Sequence, residues 1–308
     1  MTAQHHSPLD LPPLPLEAWE DTRDTLHLFA QIVGKVRLRV HPKLNHWWHV
    51  TLYVWPRGLT TRAIPYGGGE NFEIAFDLID HVLRITTSRG EERTFRLGSL
   101  SVAEFYERLF GALAELGIEA RILARPYEHK STTPFAADRE HSAYDPDYVH
   151  RFWLALLQVG NVLEEFRGRF LGKQTPVHLF WHSFDLAQTR FSGRRAPEMA
   201  DASPSDREAY SHEVISFGFW AGDQNLRAPA FYSYTAPEPD GLGSEPLRPA
   251  AASWNHQRGS ALALLMYDDL RAAPDPRGAL LEFLQSSYEA GAKRAGWDRA
   301  ALEPVTPA

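Results

Sequence analysis

Val177–Arg195 reads VHLFWHSFDLAQTRFSGRR. Side chains alternate along an extended chain. As a strand, the stretch therefore sets His178, Phe180, His182 and Phe184 on one face, and Val177, Leu179, Trp181, Ser183 and Asp185 on the other. Apolar bulk beside titratable groups is costly to bury unless the polar groups find partners. The stretch is therefore expected to wall a pocket within a sheet. His178 and His182 would stand about 13 Å apart at roughly 3.3 Å per residue, too far to share one metal ion. His182 and Asp185 would face opposite ways, and only a bulge would let them meet. The partner expected for His182 lies across the polar loop 193–209, where Ser211-His212-Glu213 opens the next strand.

On either side the periodicity changes. Trp19, Arg23, Leu26, Phe29, Ala30 and Val33 fall three or four apart and predict a helix from Leu16 to about Val33, stopped at Gly34. KVRLRV (35–40), WHVTLYV (48–54), 59–64, NFEIAFD (71–77), VLRITT and RTFRL alternate with period two and read as strands, the last pair turning at Ser88-Arg89-Gly90. Ser101 and Glu104 have capping-box spacing ahead of a helix that ends at Gly117, and a short strand is expected over 118–123. Asp145-Pro146 predicts a helix start, with Phe152, Leu156, Val159 and Leu163 on one face to about Phe170. EVISFGFW (213–220), FYSYT (231–235) and ALALLMY (261–267) read as strands, and Asp275-Pro276 opens a last helix.

Strands in runs, rather than alternating with helices, predict an α+β fold of largely antiparallel sheet. Three segments are expected: an α+β half over 1–123, a crossover over 124–145, and a second α+β half over 146–308 that carries the pocket. The halves rhyme, since WHVTLYVWPRGLTTRAI and VHLFWHSFDLAQTRFSG both end near a Thr-Arg pair, Thr61-Arg62 and Thr189-Arg190. Internal duplication is one reading of that rhyme. The small menu of α+β patterns is the other.

The 308 residues are 44% hydrophobic and 23% charged, enough for a large core. Nine Trp, eleven Tyr and seventeen Phe are a heavy aromatic load, of a kind that fills cores but also lines apolar ligand pockets. A net charge of −7 argues against nucleic acid and anionic membrane as partners. The absence of Cys excludes disulfides, Cys-ligated zinc, iron–sulfur clusters and thiol nucleophiles. No run approaches the roughly 18 apolar residues of a membrane helix, and the N-terminus lacks a secretory pattern, so a cytoplasmic protein is expected. Gly67-Gly68-Gly69 is not followed by Lys-Ser/Thr, and neither a dinucleotide fingerprint nor a G-x-S-x-G elbow occurs.

The site expected from these readings has His182 and His212 as proton-transfer groups, or alternatively as metal ligands, with Glu213 as base or orienting carboxylate. Asp185 and Arg190 would contact ligand, Arg190 as an anion clamp. Trp220, Tyr232 and Tyr234 would wall the pocket. The sequence does not identify a cofactor. The plainer alternative is a non-catalytic interaction protein whose histidines and aromatics are core. The choice between enzyme and binding protein stays open at the level of sequence.

FWHSFDLAQTRFSGRRAP (180–197), YSHEVISFGFWAGD (210–223), FYSYTAPEP (231–239), ALLEFLQSSYEAGAKRAGWD (279–298) and LPLEAWEDTRDTLHLFAQIVGKVRL (14–38) together resemble a bacterial family of unknown function. Ala221 stands where that family usually has Pro. The resemblance covers nearly the whole chain and implies one full-length family unit from a bacterial source. It supplies no activity or cofactor.

Overall fold

The structure is a computed structural model that describes residues 9–256 and 259–304. It is α+β, with helices and two antiparallel sheets. The chain divides into two compact units, each discontinuous in sequence. The first comprises Leu14–Leu157 and His178–Leu186. Of the described residues, the second takes those up to Pro13, Gln158–Val177, and those from Ala187 onward. The expected crossover over 124–145 lies inside the first unit.

The first unit opens with α1 (Glu20–Val40). This corrects two expectations: Gly34 does not stop the helix, and KVRLRV is its last turns rather than a strand. Gly34 is there for packing, since a Cβ at this position would penetrate the indole of Trp181. The helix ends where Pro42 forces His41 into extended backbone. WHVTLYV is also not one strand. Asn45–Val50 forms a 3-10 turn in which His46 and Trp47 are left-handed, and only Tyr53–Trp55 remains as β1.

The first sheet is a meander, β1–β2–β4–β5–β6, made of β1, β2 (Gly58–Thr60), β4 (Glu70–Asp77), β5 (Val82–Thr87) and β6 (Glu92–Arg96). The strand β3 (Ile64–Tyr66) also pairs with β4. Thus β2 and β3 pair with successive stretches of β4, Ala75–Asp77 and Glu70–Phe72. Thr61 bridges the break by exchanging hydrogen bonds with Ile74. Arg62 follows in the left-handed region, at φ 55°. The expected hairpin at Ser88–Gly90 joins β5 to β6. The helix α2 (Val102–Glu115) carries the expected capping box of Ser101 and Glu104. Its Phe105 stacks on Phe29 of α1 at 4.0 Å and lies 6.1 Å from Phe76 of β4, which locks helix, helix and sheet into one core. Residues 118–123 form no strand.

The helix α3 (Pro146–Arg167) starts at the expected Asp145, whose carboxylate accepts the amides of Asp147 and Tyr148. The opening stretch is not a single strand. It forms β7 (His178–Phe180), a tight turn over Trp181–Phe184, and β8 (Asp185–Arg195). The Phe184 amide donates to the Phe180 carbonyl at 2.8 Å, and Phe184 sits at φ 57° to close the turn.

The second unit holds the sheet order β11–β12–β10–β9–β8. After the short α4 (Pro204–Ala209), β9 (His212–Trp220) pairs from Val214 to Trp220 with the whole of β10 (Ala230–Ala236). The strands β11 (Ser253–Asn255) and β12 (Leu262–Met266) follow, then α5 (Tyr267–Arg271), α6 (Pro276–Arg294) and α7 (Arg299–Leu302). Asp275 caps α6 as its sequence implies. The first sheet is a sequential meander, whereas the second exchanges the order of its last two strands, so duplication gains nothing beyond a shared antiparallel pattern. Among the described residues no helix is long and apolar enough to cross a membrane.

Candidate functional site

Because the turn at 181–184 breaks the strand, His182 sits at its tip with its side chain 29% exposed. Its Nδ1 donates to Oε2 of Glu128 at 3.0 Å. That hydrogen bond fixes the tautomer, so Nε2 carries the lone pair and is the proton-accepting end. In return the imidazole holds the Glu128 carboxyl below the usual carboxylate range. A carboxylate held to an imidazole in this way supplies the parts of a general base with its orienting group.

Both loops that carry this pair are held by one turn of α1. His27 Nε2 lies 3.0 Å from the carbonyls of both Trp181 and His182, and donates its hydrogen to them. Burial pushes His27 well below the ordinary imidazole value, helped by the facing His129 and Arg23, so the ring stays neutral. One turn on, the Gln31 amide accepts from the Tyr127 backbone N–H and donates to the Tyr127 carbonyl, both at 2.8 Å. His27 thus positions the loop of His182, and Gln31 the loop of Glu128. Phe184 stacks on the His27 ring at 4.9 Å, and the Lys35 ammonium lies 5.3 Å from the Trp181 ring centre. Glu128 (φ 51°) and Phe184 (φ 57°) both occupy left-handed backbone that costs a non-glycine residue on the order of 1 kcal/mol or more. Such strain persists only where packing over-determines it.

Behind the clamp lies a second set of titratable groups. The His129 ring is 5.1 Å from His27 and 5.9 Å from His141, and His141 contacts the Asp138 carboxylate at 2.8 Å. Asp24 is buried and paired with Lys130 at 2.5 Å. Burial lowers His129 to about 4. Among the described residues no group of three or more His, Asp and Glu side chains is placed to hold a metal ion.

The other residues expected at the site have their own local partners. Asp185 begins β8, is buried, and accepts from the Ser183 hydroxyl. In the second unit His212 contacts the Ser211 hydroxyl at 3.1 Å, and burial with Lys173 and Arg195 nearby pushes it down. Glu213 accepts from Arg194 at 2.8 Å and from the Ser192 hydroxyl at 2.9 Å. The Arg190 guanidinium is fully buried between Phe166 and Tyr288, 3.6 and 4.5 Å from their ring centres. Trp220, Tyr232 and Tyr234 form a half-buried row on one sheet face. Trp220 and Tyr232 rings are 5.6 Å apart, and Tyr232 stacks on Tyr234 at 6.1 Å. The structure therefore gives His182 a carboxylate the sequence reading did not name, Glu128. It also reveals the positioning pair His27 and Gln31, whose i, i+4 spacing of polar residues on a buried helical face was the one available signal.

The model of a family described as a family of unknown function (DUF5996) matches residues 11–304. No curated protein and no solved structure matches the chain.

Proposed function

We propose that this chain, which belongs to the DUF5996 family of unknown function, binds a small molecule at the turn 181–184 and moves a proton on it through the Glu128–His182 pair. One observation carries this reading: His27 and Gln31, one turn apart on α1, clamp the backbones of the two loops that present the pair. Preorganisation by supporting hydrogen bonds is what a working acid–base group requires, and a stray surface ion pair has no use for it. The test is a thermal-shift screen of the full chain against metabolites, with His182→Ala and Glu128→Gln alongside. A ligand that binds only the native state raises the melting temperature. The expected result is a ligand-dependent rise that His182→Ala abolishes, while its ligand-free melting temperature matches wild type. A rise that both variants retain would remove the pair from the site.

A second reading is favoured by the row of Trp220, Tyr232 and Tyr234, extended by Tyr210, whose hydroxyl meets that of Tyr234 at 2.9 Å. A half-buried aromatic face of this kind serves an interaction surface as well as a ligand platform. Substituting Ala at Tyr232 separates the two: loss of metabolite-dependent shifts would move the site to this face.

A further inference from the structure

Between Asp24 and Glu70 the chain has no Asp or Glu, yet it carries Lys35, Arg37, Arg39, Lys43, Arg57 and Arg62 in a protein of net charge −7. The fold gathers part of this excess around Tyr53. Arg37, on the last turns of α1, is 3% exposed, and its guanidinium carbon lies 5.5 Å from the Tyr53 ring centre. It donates to the Thr61 carbonyl at 2.5 Å and hydrogen-bonds the Tyr53 side chain, while its Nε is buried without a hydrogen-bond partner among the described residues. Arg62, exposed at the break between β2 and β3, lays its guanidinium 3.6 Å from the same ring centre. Neither guanidinium has a carboxylate partner among the described residues. The nearby Glu73 is engaged by the Thr60 hydroxyl.

Two unneutralised guanidiniums converging on one ring is an unfavourable arrangement. Burial and the facing Arg62 both push Arg37 down. A cationic last helical turn suits the helix dipole and accounts for Arg37 and Arg39. It does not account for Arg62, which adopts left-handed backbone, at φ 55°, and lays its guanidinium over the ring that Arg37 also approaches. An oxyanion resolves the conflict, because each planar guanidinium offers paired donors to such a group.

We propose that Arg37 and Arg62, flanking Tyr53, bind the phosphate group of a small molecule. Two cations match a phosphate dianion in charge as well as in donor geometry. The inference deepens the His182 reading and rests on it for the other end of the ligand. Rings step from Tyr53 to His178 at 6.2 Å, to Phe180 at 4.8 Å and to His182 at 5.5 Å. Phe180 is half-buried between the two ends. A phosphate held at Arg37 and Arg62 would leave the rest of a metabolite running along Phe180 toward the base.

The experiment is calorimetric titration of the full chain with inorganic phosphate, phenyl phosphate and a DNA duplex. The variants are Arg62→Gly and His182→Ala. Arg62→Gly removes the guanidinium and relieves the left-handed backbone, so it is expected to melt no lower than wild type. Phosphate affinity is expected to fall at least about tenfold in Arg62→Gly and to stay unchanged in His182→Ala. Absence of phosphate binding in wild type, or equal binding in Arg62→Gly, would overturn the proposal. Tighter, salt-dependent binding of the duplex would overturn it in favour of a nucleic-acid surface. Phosphate binding that depends on Arg62, combined with metabolite shifts that ignore His182, would sink the acid–base reading alone.

Discussion

The Arg190 side chain is fully buried, and among the described residues its guanidinium makes one hydrogen bond, from Nη2 to the Phe166 carbonyl at 2.6 Å. Its Nε and Nη1 have no partner among the described residues. Four rings surround it, Phe166, Tyr288, Phe170 and Phe217, with centres from 3.6 to 5.8 Å away. Ring attraction to a desolvated cation is worth about 2 kcal/mol, whereas an uncompensated buried charge costs several. Burial depresses the group to about 9, so desolvation outweighs the rings. Arg190→Met fills the same space without the charge and is expected to stabilise the protein by about 1–3 kcal/mol. Chemical denaturation of the two forms checks this. A loss of more than about 2 kcal/mol would mean that the guanidinium is compensated by contacts beyond these rings. The anion-clamp expectation for Arg190 came from residue type alone, and burial depth is what residue type does not encode. His182 was legible because titratable and aromatic residues crowd its segment. Glu128 was not, because it lies on an irregular stretch with no periodicity to place its side chain.

At the scale of elements, α1 shows why alternation misleads. Val36, Leu38 and Val40 alternate with bases as in a strand, but Val33, Val36 and Val40 also fit one helical face. The tertiary structure chose the helix, and Gly34 was read as a stop when it is a seat for Trp181. Two substitutions separate propensity from packing. Gly111 lies in α2 with nothing within 4 Å of an added Cβ, so Gly111→Ala is expected to stabilise by up to about 1 kcal/mol. Gly34→Ala makes the same change in propensity but drives a methyl into the buried indole beside His182. Overpacking costs about 1–3 kcal/mol and wins over propensity, so this variant is expected to melt lower. It should also weaken any ligand response at His182, because the turn must shift. Equal melting temperatures for the two alanine variants would show that the Trp181 seat is soft. The turn itself was legible only as a conditional: His182 and Asp185 were expected to meet only through a bend, and a bend at Trp181–Phe184 is what the chain makes.

At the scale of the whole molecule, the α+β class and the antiparallel sheets were legible because period-two runs cluster rather than alternate with helices. The discontinuous units were not, since α3 and β8 each begin in one unit and end in the other, and no composition change marks the passage. The many depressed histidines are likewise a property of the folded whole. His27 and His129 are both held neutral by burial, His129 down to about 4, with His141, Arg23 and Lys130 acting against the charged form of His129 and Asp24 acting for it. In the unfolded chain each titrates near 6.5. A folded value below the unfolded one means that the unfolded chain takes up protons first as pH falls, so stability is complete above about 6.5 and drains away toward about 4. Each such histidine contributes a slope of about 1.4 kcal/mol per pH unit, and the two together give roughly twice that. The lowered carboxyls of Asp77, Glu128 and Glu165 act in the same direction but at lower pH, from the ordinary carboxylate range downward. Between pH 6.5 and 4.5 the histidines therefore dominate. Urea midpoints measured at half-unit steps should fall steadily across that interval, and His129→Gln should make the fall shallower while lying close to wild type at pH 7.5. A flat profile in wild type would mean that one or both rings find a proton-sharing partner in the fold, with the nearby Asp138–His141 pair the first place to look.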